Sequence, residues 1–87
     1  MIPTDQIPDM PGLRAEIDKL DAQLVTLLAR RRDLIDRAAQ IKAGNGLPAR
    51  IDERVEEVVD NVRRLAAGTG LDPALVEVIW RHLIEAA

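Results

Sequence analysis

At 87 residues the chain holds one small domain at most, and with no cysteine it has neither a disulfide framework nor a thiolate metal ligand or nucleophile. Apolar residues make up 47% of it but aromatics only 1%, the single Trp80, so its volume comes from Leu, Ile, Val and Ala, which suits helix–helix packing. A net charge of −3 argues against a nucleic-acid binder, whose footprint is basic, and no apolar run approaches the roughly 18 residues of a membrane span.

The chain opens on MIPTDQIPDMPG, which has neither a basic start nor an apolar stretch. It does not read as a secretory leader, and the cytoplasm is the default expectation. Residues 1–11 carry Pro3, Pro8 and Pro11 without periodicity and read as a flexible lead-in, so the domain proper is expected over residues 12–87.

A long helix follows, from about Leu13 to Ala43, free of proline and glycine. Positions 13, 17, 20, 24, 27, 31, 34, 38 and 41 read Leu, Ile, Leu, Leu, Leu, Arg, Leu, Ala, Ile. The steps alternate four and three, the 3.5-residue seam of packed helices. Arg31 is the one polar residue in that seam. A permanent cation there needs an anion, and no seam residue supplies one. Either a carboxylate reaches it from another element or an anionic ligand does. A helix of this length is about 46 Å long, against a radius of gyration of about 12 Å for a compact chain of this size. A second copy of the chain is the simplest cover for the seam.

The GNGLP stretch, Gly44–Pro48, ends the helix, with glycine as the stop and proline shortly after. A second helix is expected from about Ile51 to Ala67, with Ile51, Val55, Val58, Val62 and Leu65 on one face, closed by Gly68 and Gly70. Asp72-Pro73 reads as an N-cap followed by a first-turn proline. The third helix carries Leu75, Val76, Ile79, Trp80, Leu83 and Ile84 and reaches Ala87 without a stop signal. The fold class is therefore all-α, three helices with a long first one.

The cations have a geometry of their own. Arg31 and Lys42 are 11 residues apart and share a face through positions 35 and 38. Arg14 precedes Arg31 by 17 residues, about 26 Å along the axis and about 100° round it. One small ligand cannot touch both on one helix. It can touch Arg31 and Lys42 of one copy and Arg14 of an antiparallel partner, with the two-fold near Leu24. Arg54, in the first turn of helix 2, is either a further site cation or a partner for Asp52 or Glu57. Arg30 and Arg32 read as solvated surface, and so do Glu53, Glu56, Glu57 and Asp60. His82 reads as packed or surface rather than as a base.

The stretch LRAEIDKLDAQLVTLLARRRDLIDRAAQIK, then a short loop, then ER, then GLDPALVEVIWRHLIE, resembles the all-helical class of chorismate mutases. The resemblance covers residues 13–87. It implies an intertwined homodimer of three-helix chains whose long first helix is shared between two identical sites. It also implies a [3,3] rearrangement of chorismate to prephenate, without cofactor or metal. By the same resemblance Arg14 crosses to the partner's site, Arg31 grips a substrate carboxylate and Lys42 meets the ether oxygen. Arg54 is the arginine opening helix 2. Val55 stands where such mutases commonly carry a glutamate for the ring hydroxyl, and a late glutamine of helix 3 falls beyond Ala87. The related isochorismate pyruvate-lyases also look like Arg-Val at this point, so the lyase reaction stays open. So does a non-catalytic binding or dimerisation domain of the same fold.

Overall fold

A computed structural model describes residues 3–48 and 50–86. The elements in chain order are a short 3-10 turn, η1 (Thr4–Gln6), and three helices, α1 (Met10–Gly44), α2 (Asp52–Thr69) and α3 (Pro73–Ala86). No strand occurs among the described residues. The chain divides into two compact units, Met1–Leu34 and Ile35–Ala87.

In the first unit, α1 begins inside the segment expected to be a lead-in. The Oδ1 of Asp9 accepts the Gly12 N–H at 2.8 Å, and its carbonyl accepts the Leu13 N–H at 3.0 Å. Asp9 is thus the N-cap, which satisfies donors that the first turn leaves orphaned. Pro11 falls in that first turn, where its missing N–H costs nothing. A Cβ on Gly12 would lie 3.0 Å from that Oδ1 and 3.5 Å from Cγ2 of Ile7, so the chain entering the helix runs close over the first turn. No residue of α1 is buried. The seam residues Ile17, Leu20, Leu24, Leu27, Leu34 and Ile41 are all exposed, Leu27 by 64%.

The second unit contains the end of α1, the connecting loop, and α2 and α3. The C-terminus of α1 is held by two bonds, Gly46 N–H to the Ala43 carbonyl at 3.3 Å and Leu47 N–H to the Lys42 carbonyl at 2.8 Å. This is the Schellman pattern, with Gly46 in the left-handed region at φ 69°. The same motif closes α2, where Gly70 has φ 79° and Leu71 N–H reaches the Ala66 carbonyl at 3.1 Å. In both cases the second glycine makes the left-handed turn. Gly44 and Gly68, expected as stops, lie within the helices. Asp72 caps α3 as its sequence suggests, its Oδ1 accepting the Ala74 N–H at 3.0 Å. The expectation that helix 3 reaches Ala87 lies outside the described residues.

Helices α2 and α3 pack on each other. Val62, Ala66 and Val76 form the buried cluster, with Trp80 against it, and Val59 is also buried, at 2% exposure. Expectation and structure differ here by one position. The buried stripe of α2 is Val59, Val62 and Ala66, while Leu65 is 68% exposed. Valines at 55, 58, 59 and 62 leave α2 with two apolar stripes, and α3 takes only one. Ion pairs run along the α2–α3 contact: Arg63 to Glu77 at 2.7 Å, Arg81 to Glu56 at 3.2 Å and Arg50 to Glu85 at 2.7 Å. Rising numbers on one helix meet falling numbers on the other, so the two run antiparallel. Glu56, expected to be merely solvated, is one of these partners.

Candidate functional site

The first unit holds Arg14 and Arg31, and the second holds Lys42, Arg54 and Val55. Arg14 lies early in α1, four positions after Met10, and is exposed. Arg31 is half-buried. Lys42 is half-buried at the last turn of α1, and its carbonyl is the acceptor for the Leu47 N–H of the cap. Arg54 is exposed and donates to the Glu57 carboxylate one turn on, the local pairing its sequence allows. Val55 is half-buried on α2.

The arginines sort by their partners. Seven have an acceptor close by: Arg32 faces Asp33 at 3.9 Å, Arg37 donates to Gln40 at 3.1 Å and Arg64 to Asn61 at 2.6 Å. Arg50, Arg54, Arg63 and Arg81 are in the ion pairs described above. Among the described residues the guanidiniums of Arg14, Arg30 and Arg31 have none. Arg14 and Arg30 are exposed, where water solvates them. Arg31 alone of the three is half-buried. Among the described residues of the first unit, no carboxylate pairs with it. A cation partly withdrawn from water is costly to hold without an anion beside it.

The cluster around Glu77 works differently. Its carboxylate accepts from Arg81 Nε at 2.8 Å and from Arg63 at 2.7 Å. The hydrogen bond from Arg81 is the main reason its pKa lies below the usual glutamate value, and the bond from Arg63 adds to it while partial burial opposes. The same bond, then that to Glu56, raises Arg81. These cations are satisfied within the α2–α3 pair and are a structural lattice. The i,i+4 spacing of Glu77 and Arg81 was the sequence signal for part of it; the reach of Arg63 and Glu56 across helices has no such signal.

Neither of two concavities on the first unit contains a candidate cation. One is lined by Lys19, Ala22, Gln23, Thr26 and Leu27, the other by Thr4, Ile7, Leu13, Glu16, Ile17, Lys19, Leu20 and Gln23. No helix among the described residues is long and apolar enough to cross a membrane.

Against known proteins, the family model described as chorismate mutase type II matches residues 13–87. A 4-amino-4-deoxychorismate mutase of Streptomyces venezuelae is 40% identical over 76 residues, covering 87% of this chain and 74% of that protein. The T-protein of Enterobacter agglomerans is 31% identical over 78 residues, covering 90% of this chain. The chain spans only 21% of that T-protein's length. A chorismate mutase of Methanocaldococcus jannaschii is 30% identical over 79 residues, covering 91% of this chain and 80% of its own. No solved structure matches the chain.

Proposed function

Because the chain belongs to the chorismate mutase type II family, which its residues 13–87 match, we propose that it rearranges chorismate to prephenate, in the cytoplasm and in the service of aromatic amino acid biosynthesis. The observation that carries this reading is Arg31: a half-buried guanidinium in an apolar register, with no partner among the described residues. A small dianion supplies what it lacks. In this reading Arg31 and Arg14 each grip one carboxylate through forked bonds, which fix orientation as well as charge. Lys42 sits on the same helical face as Arg31 by its spacing of 11 residues. It faces the ether oxygen, where negative charge grows as the C–O bond breaks and the new C–C bond forms. Arg54 leaves Glu57 for the ligand, and Val55 contributes an apolar wall.

The rearrangement is unimolecular and asks for no nucleophile or proton transfer. Its catalysis consists of holding a flexible substrate in the reactive diaxial conformer and of fixed charge aimed at the breaking bond. Such a site needs two copies of the chain. The exposed leucines and isoleucines of α1 support a homodimer, since among the described residues a core of three valines and an alanine is small for a domain of this length. The second copy also brings Arg14 to Arg31 of the first.

A second reading has the Streptomyces relative behind it: a substrate bearing an amine in place of the ring hydroxyl. Val55 offers no hydrogen bond to either group, so the two substrates are expected to compete on shape. The test is to add chorismate, 4-amino-4-deoxychorismate and isochorismate separately to the purified chain and identify the products. Prephenate from chorismate supports the reading. Turnover of the amino compound alone moves it to the second, salicylate and pyruvate from isochorismate move it to the lyase, and binding without turnover refutes catalysis.

A further inference from the structure

We propose that Asn45–Gly46 is a site of spontaneous deamidation that disables Lys42 as the protein ages. The loop is built in a way that invites the reaction. The Schellman cap of α1 requires a left-handed residue at 46, and Gly46 has φ 69°. An L side chain is strained there, so the fold itself places glycine after Asn45. Nothing lies within 4 Å of where a Cβ on Gly46 would be, and both residues are exposed. The Gly46 nitrogen is the nucleophile and must lose its proton to react. Its N–H is the looser of the two cap bonds, 3.3 Å to the Ala43 carbonyl against 2.8 Å from Leu47 to Lys42.

The chemistry balances within the chain and water. Gly46 N attacks Cγ of Asn45, a C–N bond forms, and Nδ2 leaves as ammonia carrying the displaced proton. Water then opens the five-membered imide. Attack at Cγ gives aspartate, and attack at the main-chain carbonyl carbon of residue 45 gives isoaspartate. The net change is one amide exchanged for one carboxylate.

Both products act on Lys42. A carboxylate at 45 lies three residues past Lys42, within pairing distance on a helix end, and competes with the substrate's ether oxygen for it. The same charge opposes the negative end of the α1 dipole. Isoaspartate also lengthens the backbone by one carbon between the two ends of the Leu47–Lys42 bond, so the turn that positions Lys42 no longer closes. The effect on activity rests on the mutase reading; the modification and the loss of the cap do not.

The experiment ages the folded protein for days in mildly alkaline buffer. Three readouts follow: the mass of the tryptic peptide 43–50, hydrogen-exchange protection of the Leu47 amide, and kcat and KM on chorismate. The expected result is conversion at residue 45, loss of Leu47 protection, and activity falling in proportion to the converted fraction. Asn45→Gln should keep its mass, its Leu47 protection and its activity throughout. Asn45→Asp should begin with reduced kcat/KM. An unchanged peptide in the folded protein, when the same peptide in denaturant converts, overturns the proposal. So does full conversion with Leu47 still protected. If fresh protein has no activity on chorismate, the mutase reading fails while mass and exchange still decide this one.

Discussion

Arg14 is expected to act in trans, and mixing two inactive variants tests it. The perturbations are Arg14→Ala and Arg31→Ala, each made in a separate preparation. The two residues stand 17 positions apart on one continuous helix, α1, or about 26 Å along its axis. A small dicarboxylate does not bridge that distance, so on the proposed reading each site draws one arginine from each copy. Either variant alone spoils both sites of its homodimer. In a two-fold dimer made of one of each, one site loses both arginines and the other keeps both. Equal amounts exchanged at random give half mixed dimers, each with one intact site of two, so about a quarter of wild-type activity returns. The assay is prephenate formation before and after subunit exchange, with exchange itself followed by mass spectrometry of intact dimers. A mixture that stays inactive after demonstrated exchange refutes the shared site. Activity in either variant alone refutes the role of that arginine.

Arg31→Ala is expected to leave a folded dimer that is more resistant to urea than the wild type without ligand, because a half-buried cation with no partner among the described residues is gone; a less stable variant would mean that Arg31 has a structural partner. Arg31→Lys should also lose most turnover, since a point charge lacks the forked contact, and near-wild-type kcat would disprove that. Leu24→Glu puts a charge near the expected two-fold with nothing to pair it, so sedimentation should show monomer or unfolded chain; an intact dimer would move the axis elsewhere. For Glu77, whose carboxyl is held below its usual range chiefly by Arg81, the folded-state pKa lies below the unfolded one. Its contribution is therefore complete above the ordinary glutamate value of about 4.3 and is lost as pH falls through the lower folded value. Glu77→Gln should flatten the acid limb of a thermal-stability profile, and an unchanged limb would show the pair to be too solvated to matter.

Much of the fold is legible in the sequence. The run from Leu13 to Ala43 without glycine or proline could only be one long helix, and Asp72-Pro73 fixed where α3 starts. The misplacements have specific causes. Pro11 reads as a breaker, but Asp9 caps the helix before it, and proline is at home in a first turn. Glycine pairs 44/46 and 68/70 each offer two stops, and nothing local says which one turns left-handed. The face of α2 is ambiguous in sequence because valines at 55, 58, 59 and 62 fit either of two stripes, and only α3 decides between them. At the site, Arg31 was legible because one charge in nine seam positions has no local explanation. Arg54 was ambiguous by nature, since Glu57 one turn on satisfies it as well as a ligand would.

The seam and its cation ask for different things. Leucine and isoleucine need hydrocarbon against them, which a second copy of α1 would supply. Arg31 needs an anion, and if α1 pairs antiparallel with its own copy about Leu24, the residues it meets come from near position 17, the mirror of 31. Those are Ile17, Glu16 and Asp18, flanked by Arg14. Both acidic neighbours fall outside the register of 13, 17 and 20, Asp18 exposed and Glu16 half-buried. Arg14, one turn before them, adds a second cation to the first. Such a pairing would cover the hydrocarbon and, on the proposed reading, gather positive charge from two chains around one point. Two arginines brought together at the edge of an apolar interface repel each other until something with two negative charges lies between them, and that is the shape of a dicarboxylate site.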